Sequence, residues 1–246
     1  MNYEESDIRD KNILVTGGTT GIGRAIAHLL VSHGANVMIF GRNETHLKEA
    51  ISDMQNLSGR IFGINADVSK KEDVAKVFAL FDGQLGPIDT LVNNAALPSQ
   101  SIIVADFDQI EYILKVNIMG YLYCAKKAIS RMEKENNGHI VNIGSMSAEV
   151  KDRDSDLYVA TKSAIRGFSA SLRKKVNQYG IKVSLIEPGG VATNMLKEKS
   201  GERDRMQKNH KILDAKDIAE AVVFCLTRPK RCDIVSMQIR AREQHI

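Results

Sequence analysis

Asn12-Ile13-Leu14-Val15-Thr16-Gly17-Gly18-Thr19-Thr20-Gly21-Ile22-Gly23 is the stretch that decides how this 246-residue chain is read. An apolar run of strand length ends in a glycine cluster. A helical pattern follows at once, with Ala25, Ile26, Leu29 and Leu30 on one face. Glycines let the main chain turn tightly and approach a pyrophosphate. The helix N-terminus then offers free N–H groups and the positive end of its dipole to phosphates. Plain turns use glycine too, but a strand before and a helix after favour a dinucleotide-binding turn.

Working outward, similar apolar runs recur at 36–40, 60–65, 88–93, 139–143, 181–186 and 232–239. Each is short and nearly continuous, as a strand buried on both faces of a parallel sheet requires. Segments of helical spacing separate them. The alternation predicts a three-layer α/β/α, doubly wound parallel sheet of about seven strands. No linker, repeat or low-complexity tract breaks the pattern, so one domain spanning 1–246 is expected. The compositional exception is 197–211, polar and basic, which reads as a surface excursion.

Composition excludes several classes. With 43% hydrophobic and 26% charged residues, the chain is globular rather than disordered. A net charge of +4 spread along the chain, 5% aromatics and no Trp argue against a nucleic-acid partner. Cys124, Cys225 and Cys232 show no CxxC spacing, which suggests neither a disulfide framework nor a metal site. Reduced thiols, no membrane-length apolar segment and an acidic start without a signal-peptide core give a cytoplasmic expectation.

Further motifs follow in order. Asn93-Asn94-Ala95-Ala96 ends the fourth apolar run, and Asn117 lies in the next helical segment. Ser145 follows the fifth run, Tyr158 and Lys162 form YxxxK, and Pro188-Gly189 leads to Thr193. With the TGxxxGxG spacing of the glycine turn, this series resembles the short-chain dehydrogenase/reductase family in its single-domain form. The resemblance covers nearly the whole chain and implies a Rossmann-like fold. It implies a nicotinamide cofactor held by Gly17, Thr19, Thr20, Gly21, Ile22 and Gly23. Asp67 and Val68 would meet the adenine, with turn-capping as the plain alternative for Asp67. Asn93 and Ala95 would stabilise the sheet and line the adenosine ribose. Pro188, Gly189, Val191 and Thr193 would wrap the nicotinamide.

Cofactor choice turns on the end of the second run. NAD enzymes place an acid there for the ribose hydroxyl, whereas this chain has Gly41 followed by Arg42. Guanidinium is a forked, permanently charged phosphate partner, which favours NADP(H). A solvated arginine ahead of a helix is the plain alternative.

YxxxK occurs twice, as Tyr123…Lys127 and Tyr158…Lys162. Only the second has a serine thirteen residues upstream and the Pro188-Gly189 turn downstream. On a helix, Lys162 stands beside Tyr158. A phenol of pKa ~10 is a poor base at neutral pH, and a neighbouring ammonium is expected to lower it. Tyr158 then exchanges a proton with the substrate oxygen while the cofactor handles the hydride. The resemblance implies that Lys162 also grips the nicotinamide ribose. It implies that Ser145 polarises the substrate oxygen and that Asn117 holds a water linking the lysine to solvent.

The resemblance leaves the substrate open. A polar stretch, 146–157, separates Ser145 from Tyr158, and 194–213 stands where the family carries a substrate-covering loop. Their charges suit a small or anionic substrate; solvated loops would look the same. The glycine-rich ending of acyl-carrier-protein reductases is missing. A small 3-hydroxy acid or alcohol and its ketone therefore rank first, and a 3-oxoacyl thioester second. A non-catalytic NADP(H)-binding sensor or scaffold is the reading from another class. The resemblance also implies a homodimer or homotetramer, with Leu122, Phe168 and Leu172 available for contact.

Overall fold

The computed structural model describes residues 7–151, 155–193 and 200–244. Asp152, Arg153 and Asp154 of the polar stretch, and 194–199 of the expected covering loop, lie outside the described residues.

Seven strands form one sheet: β1 (Asn12–Thr16), β2 (Asn36–Gly41), β3 (Arg60–Asn65), β4 (Thr90–Asn93), β5 (Gly138–Ile143), β6 (Ile181–Pro188) and β7 (Ser236–Ile239). Their order is β3-β2-β1-β4-β5-β6-β7. Every pairing is parallel. The doubly wound sheet read from the apolar runs is therefore present. Successive side chains of a strand face opposite layers. Ile13 and Val15 of β1, with Val37 and Ile39 of β2, enter one core, whereas Leu14, Met38 and Phe40 enter the other.

Helices α1 (Gly21–Ser32), α2 (Glu44–Met54) and α9 (Ala215–Leu226) cover the first face. They bury Ile26, Leu30, Leu47, Met54, Ile218 and Val222 there. On the second face, α3 (Lys71–Leu85), α5 (Gly120–Glu135) and α7 (Asp156–Val176) contribute Val74, Phe78, Phe81, Cys124, Met132 and Val176. Each large apolar side chain fully buried this way stabilises the fold by ~1.5–3 kcal/mol. Two short elements complete the chain near the carboxyl ends of the strands, α6 (Ser147–Val150) and α8 (Ser200–Lys208).

Helix α4 (Phe107–Leu114) does not run directly into α5. Five residues, Lys115–Met119, form a π-helical turn between them. Such a turn inserts an extra residue into the ladder and often marks a functional site. Asp106 starts α4 with a capping box: its carboxylate accepts from Gln109 N at 2.7 Å and the Gln109 side chain accepts from Asp106 N at 3.3 Å.

The last strand is shorter than its apolar run. Residues 232–235 lie outside β7, and only Ser236–Ile239 pair with β6. Leu122, Phe168 and Leu172 pack against the cores and are half-buried. The most exposed large apolar side chains among the described residues lie before and at the start of α4, with Ile103 87% and Phe107 89% exposed. Tyr123, from the discarded YxxxK, packs against the second core. The three cysteines are free thiols, and no helix among the described residues is long and apolar enough to cross a membrane.

Candidate active site

The chain reverses direction across the sheet between β1 and β4, and ligands of open α/β sheets bind in the crevice that this reversal creates. A cleft of about 1290 Å³ opens there. It is larger than a drug-sized pocket of ~300–1,000 Å³, as a dinucleotide plus a substrate requires.

The glycine turn forms one wall. Gly17, Thr19, Thr20, Gly21 and Ile22 line the cleft. Gly23 does not; it lets α1 approach the turn. A Cβ on it would sit 2.2 Å from Gly17 O. Thr16 and Asn94 lock this arrangement. The Thr16 hydroxyl accepts from Asn94 N and Ala95 N, both at 2.9 Å, and Asn94 Nδ2 donates to Thr16 O and Gly17 O.

Asn93 stands apart from the cleft. It is fully buried and donates through Nδ2 to Asn142 Oδ1 at 3.0 Å, tying β4 to β5. The structure thus places Asn93 within the sheet between β4 and β5. Its neighbour Asn94 lines the cleft beside Ala95.

At the end of β2, Gly41 explains its own lack of a side chain: a Cβ there would lie 2.8 Å from Thr19 Oγ1. An aspartate cannot enter this position without displacing Thr19. Arg42 lines the cleft with Asn43 and His46, the last two at the start of α2. The Arg42 guanidinium is hydrogen-bonded to the Tyr112 hydroxyl and lies 5.4 Å from that ring's centre. Tyr112 in turn donates to Asp67 at 2.9 Å. Burial raises the Asp67 carboxyl, but hydrogen bonds from Ser69 and Tyr112 and the charge of Arg42 outweigh it and hold it below the usual carboxylate range. Tyr112 carries no sequence signal for this place, because only the packing of α4 brings it to β2 and β3.

Ser145, Tyr158 and Lys162 meet on the opposite wall, and Pro188, Gly189, Val191 and Thr193 line the space between the walls. Ser145 Oγ is 3.0 Å from Ser147 Oγ and accepts from Ser147 N at 3.1 Å. Sequence reasoning did not single out Ser147, which presents a second hydroxyl to the cleft. Ser145 is also held from below: Gly144 N donates to Ile186 O at 2.7 Å and Met146 N to Pro188 O at 2.9 Å. Arg166 of α7 pairs with Glu149 of α6 and lies 3.3 Å from buried Glu187 of β6, fastening these elements around the serine.

Lys162 is 2% exposed. Its Nζ donates to Ile143 O at 2.9 Å and to the Tyr121 hydroxyl at 3.4 Å, and lies 5.7 Å from the Tyr158 ring centre. Burial pulls its ammonium down to about 7. Burial also pushes the Tyr158 phenol up to about 12, with a hydrogen bond to Ser145 opposing it. The expected depression of the phenol by Lys162 does not govern it: desolvation raises the phenol, and the hydrogen bond with Ser145 is what opposes it. At neutral pH Tyr158 is a protonated phenol, the form that donates a proton to a carbonyl oxygen.

Asn117, in the π-helical turn, is fully buried. Its Oδ1 accepts from Leu97 N at 2.7 Å, and its Nδ2 donates to Leu97 O at 2.9 Å and Thr161 Oγ1 at 3.3 Å. The carboxamide is committed to protein atoms rather than presented to the cleft. It fixes Leu97, which lines the cleft, and the residue next to Lys162. The segment after Pro188 pairs with the covering region: Ala192 N donates to Leu213 O at 2.9 Å and Arg203 Nη1 to Thr193 O at 2.5 Å.

A parallel sheet with a glycine turn and a Tyr–Lys–Ser group at its carboxyl edge defines a class of nucleotide-dependent oxidoreductases. The chain belongs to the short-chain dehydrogenase family, whose sequence model matches residues 11–204. An uncharacterised oxidoreductase of Staphylococcus aureus strain MRSA252 is 35% identical over 95% of this chain and 98% of its own length. One from Staphylococcus saprophyticus is 34% identical over the same shares, 95% and 98%. Among solved structures, a short chain dehydrogenase from Burkholderia cenocepacia J2315 in complex with NADP superposes with a TM-score of 0.84 at 27% identity. The match covers 96% of this chain and 98% of that one. A variant of a Serratia marcescens short-chain dehydrogenase/reductase also gives 0.84, at 25% identity over 95% and 98%.

Proposed function

We propose that this protein is an NADP(H)-dependent oxidoreductase that interconverts a small hydroxy compound, a 3-hydroxy acid or alcohol, and its ketone. The observation that carries this reading is one cleft lined at one end by Arg42 and at the other by Ser145, Tyr158 and Lys162. The residues fit the cofactor. The glycine turn leaves main chain open to a pyrophosphate, no acid stands at Gly41, where Thr19 packs close, and Arg42 offers a cation to a phosphate. The relative solved with NADP supports the same choice. Gly17, Thr19, Thr20, Gly21, Ile22, Arg42, Asp67, Val68 and Ala95 would hold the adenosine and phosphate portion. Pro188, Gly189, Val191, Thr193 and Lys162 would hold the nicotinamide portion. When bound, the nicotinamide supplies or accepts the hydride.

The chain's own groups handle the proton. Ser145 orients the substrate oxygen, and Tyr158 donates its proton to that oxygen during reduction. Lys162, if protonated, stabilises the phenolate left behind. Asn117 would hold a water linking Lys162 to solvent, while its carboxamide fixes Leu97 and Thr161. Because Lys162 loses its proton as pH rises through about 7, kcat/KM for reduction is expected to fall above that pH. Initial rates from about pH 6 to about pH 9 measure the limb, and Lys162→Arg, which keeps its charge, should move it upward. A flat profile would remove the charge of Lys162 from the mechanism.

Assembly as a homodimer or homotetramer agrees with the exposed Ile103 and Phe107. The free thiols agree with a cytoplasmic setting. The single domain of 1–246 includes the covering segment 194–213, of which Arg203 and Leu213 already touch the site. The substrate class is tested by NADPH oxidation on an acetoacetyl thioester against free small β-keto acids. Faster turnover of the free acids is expected. Faster turnover of the thioester would place the protein in fatty-acyl metabolism instead.

A further inference from the structure

The chain after β7 returns to the cleft. Arg240 Nη1 donates to Gln244 O at 2.8 Å, Gln244 N donates to Ala241 O at 3.1 Å, and Glu243 N donates to His210 O at 2.9 Å. These bonds close a compact loop and carry Gln244 onto the turn that follows Pro188. There Gln244 Oε1 accepts from Gly190 N at 3.0 Å. The fit is close: a Cβ on Gly189 would lie 2.2 Å from Gln244 Oε1. Pro188 O receives Met146 N, so Gln244 is one turn away from the loop that carries Ser145 and Ser147. Gln244 lines the same cleft as those serines and Tyr158.

The bond from Gly190 N fixes which end of the carboxamide is which, since only the oxygen accepts. Gln244 Nε2 therefore stays a donor, and among the described residues it has no hydrogen-bond partner. It is not a buried orphan either. The same cleft is lined by neutral hydroxyl donors as well, Ser145, Ser147 and Thr193 among them. The cations around them are turned to main-chain and phenol oxygens: Lys162 to Ile143 O and Tyr121, Arg203 to Thr193 O, and Arg240 to Gln244 O.

We infer that Gln244 is a specificity-determining residue whose Nε2 donates to a second oxygen acceptor on the substrate, so that the enzyme selects carbonyl compounds bearing a carboxylate, ester or amide near the reacting ketone. The inference rests on the carbonyl-reductase reading proposed above. A hydrogen-bonding site rejects analogues that lack the matching atom because its own polar group is then left unpaired.

Gln244→Glu is the discriminating variant. A carboxylate oxygen still accepts from Gly190 N, so the turn stays tied, while the donor becomes an acceptor. The measurement compares kcat/KM for ethyl acetoacetate with that for a methyl ketone of the same chain length. The wild-type preference for the keto ester is expected to fall about tenfold or more in the variant. The NADPH dissociation constant, read from nucleotide fluorescence, is expected to stay within about threefold. Equal loss on both ketones, or a preference that does not change, would overturn the role of Gln244 and leave the reductase reading standing. Wild-type turnover of no ketone at all would overturn that reading, and this inference with it.

Discussion

Tyr158→Phe is expected to lower the turnover of any accepted ketone by ~10²–10⁴-fold, the usual contribution of a positioned general acid. The change removes one oxygen and leaves the ring. The half-buried ring keeps its packing, so Phe fills the same space. The hydroxyl it loses is the one hydrogen-bonded to Ser145 and pushed up to about 12 by burial, hence protonated over the whole working range. Nothing else among the residues around Ser145 replaces it. Ser147 offers only an alcohol, and the Tyr121 hydroxyl is committed to Ile143 O at 2.9 Å. NADPH affinity should stay within a few-fold, because Lys162 keeps its bonds to Ile143 and Tyr121. Initial rates and a fluorescence titration on the same preparation make the test. Residual activity above about a tenth of the wild-type rate would take the proton from Tyr158 and assign it elsewhere.

Arg42→Ala should raise the NADPH dissociation constant by ~10–100-fold while changing that of NADH little, since hydrogen bonds to charged groups contribute ~1.5–3 kcal/mol. Arg42 is held in advance by Tyr112, which is itself anchored to Asp67. A guanidinium already restrained loses less entropy when it meets a phosphate. Asp67 works the other way: its carboxylate, kept ionised by Ser69, Tyr112 and Arg42, would repel a phosphate that came too near. Direct titration with both nucleotides decides the matter. An equal loss for NADH and NADPH would show that Arg42 supports the adenosine end generally, not the ribose phosphate.

Much of this protein was legible in the sequence for a local reason. The strand–glycine–helix signature of 12–23, the recurring Ile- and Val-rich runs and the YxxxK spacing are each set by a few neighbouring residues. A parallel sheet buried on both faces demands those continuous apolar runs. The helical period alone puts Lys162 on the same side as Tyr158.

The tertiary structure decided what depends on residues far apart in the chain. Asn93 and Asn94 are adjacent and chemically alike, yet strand alternation buries the first against β5 and turns the second to the glycine loop. Tyr112 reached Arg42 and Asp67 only through the packing of α4. Gln244 reached Gly190 across more than fifty residues of chain, by a fold-back that no spacing rule encodes. The proton chemistry followed the same division. Sequence logic pairs an ammonium with a phenol and expects the phenol's pKa to drop. Only the folded site shows that both groups are desolvated, which raises the neutral acid and lowers the cationic one. Burial is a property of everything packed around a group, so it cannot be read from the residues beside it in the chain.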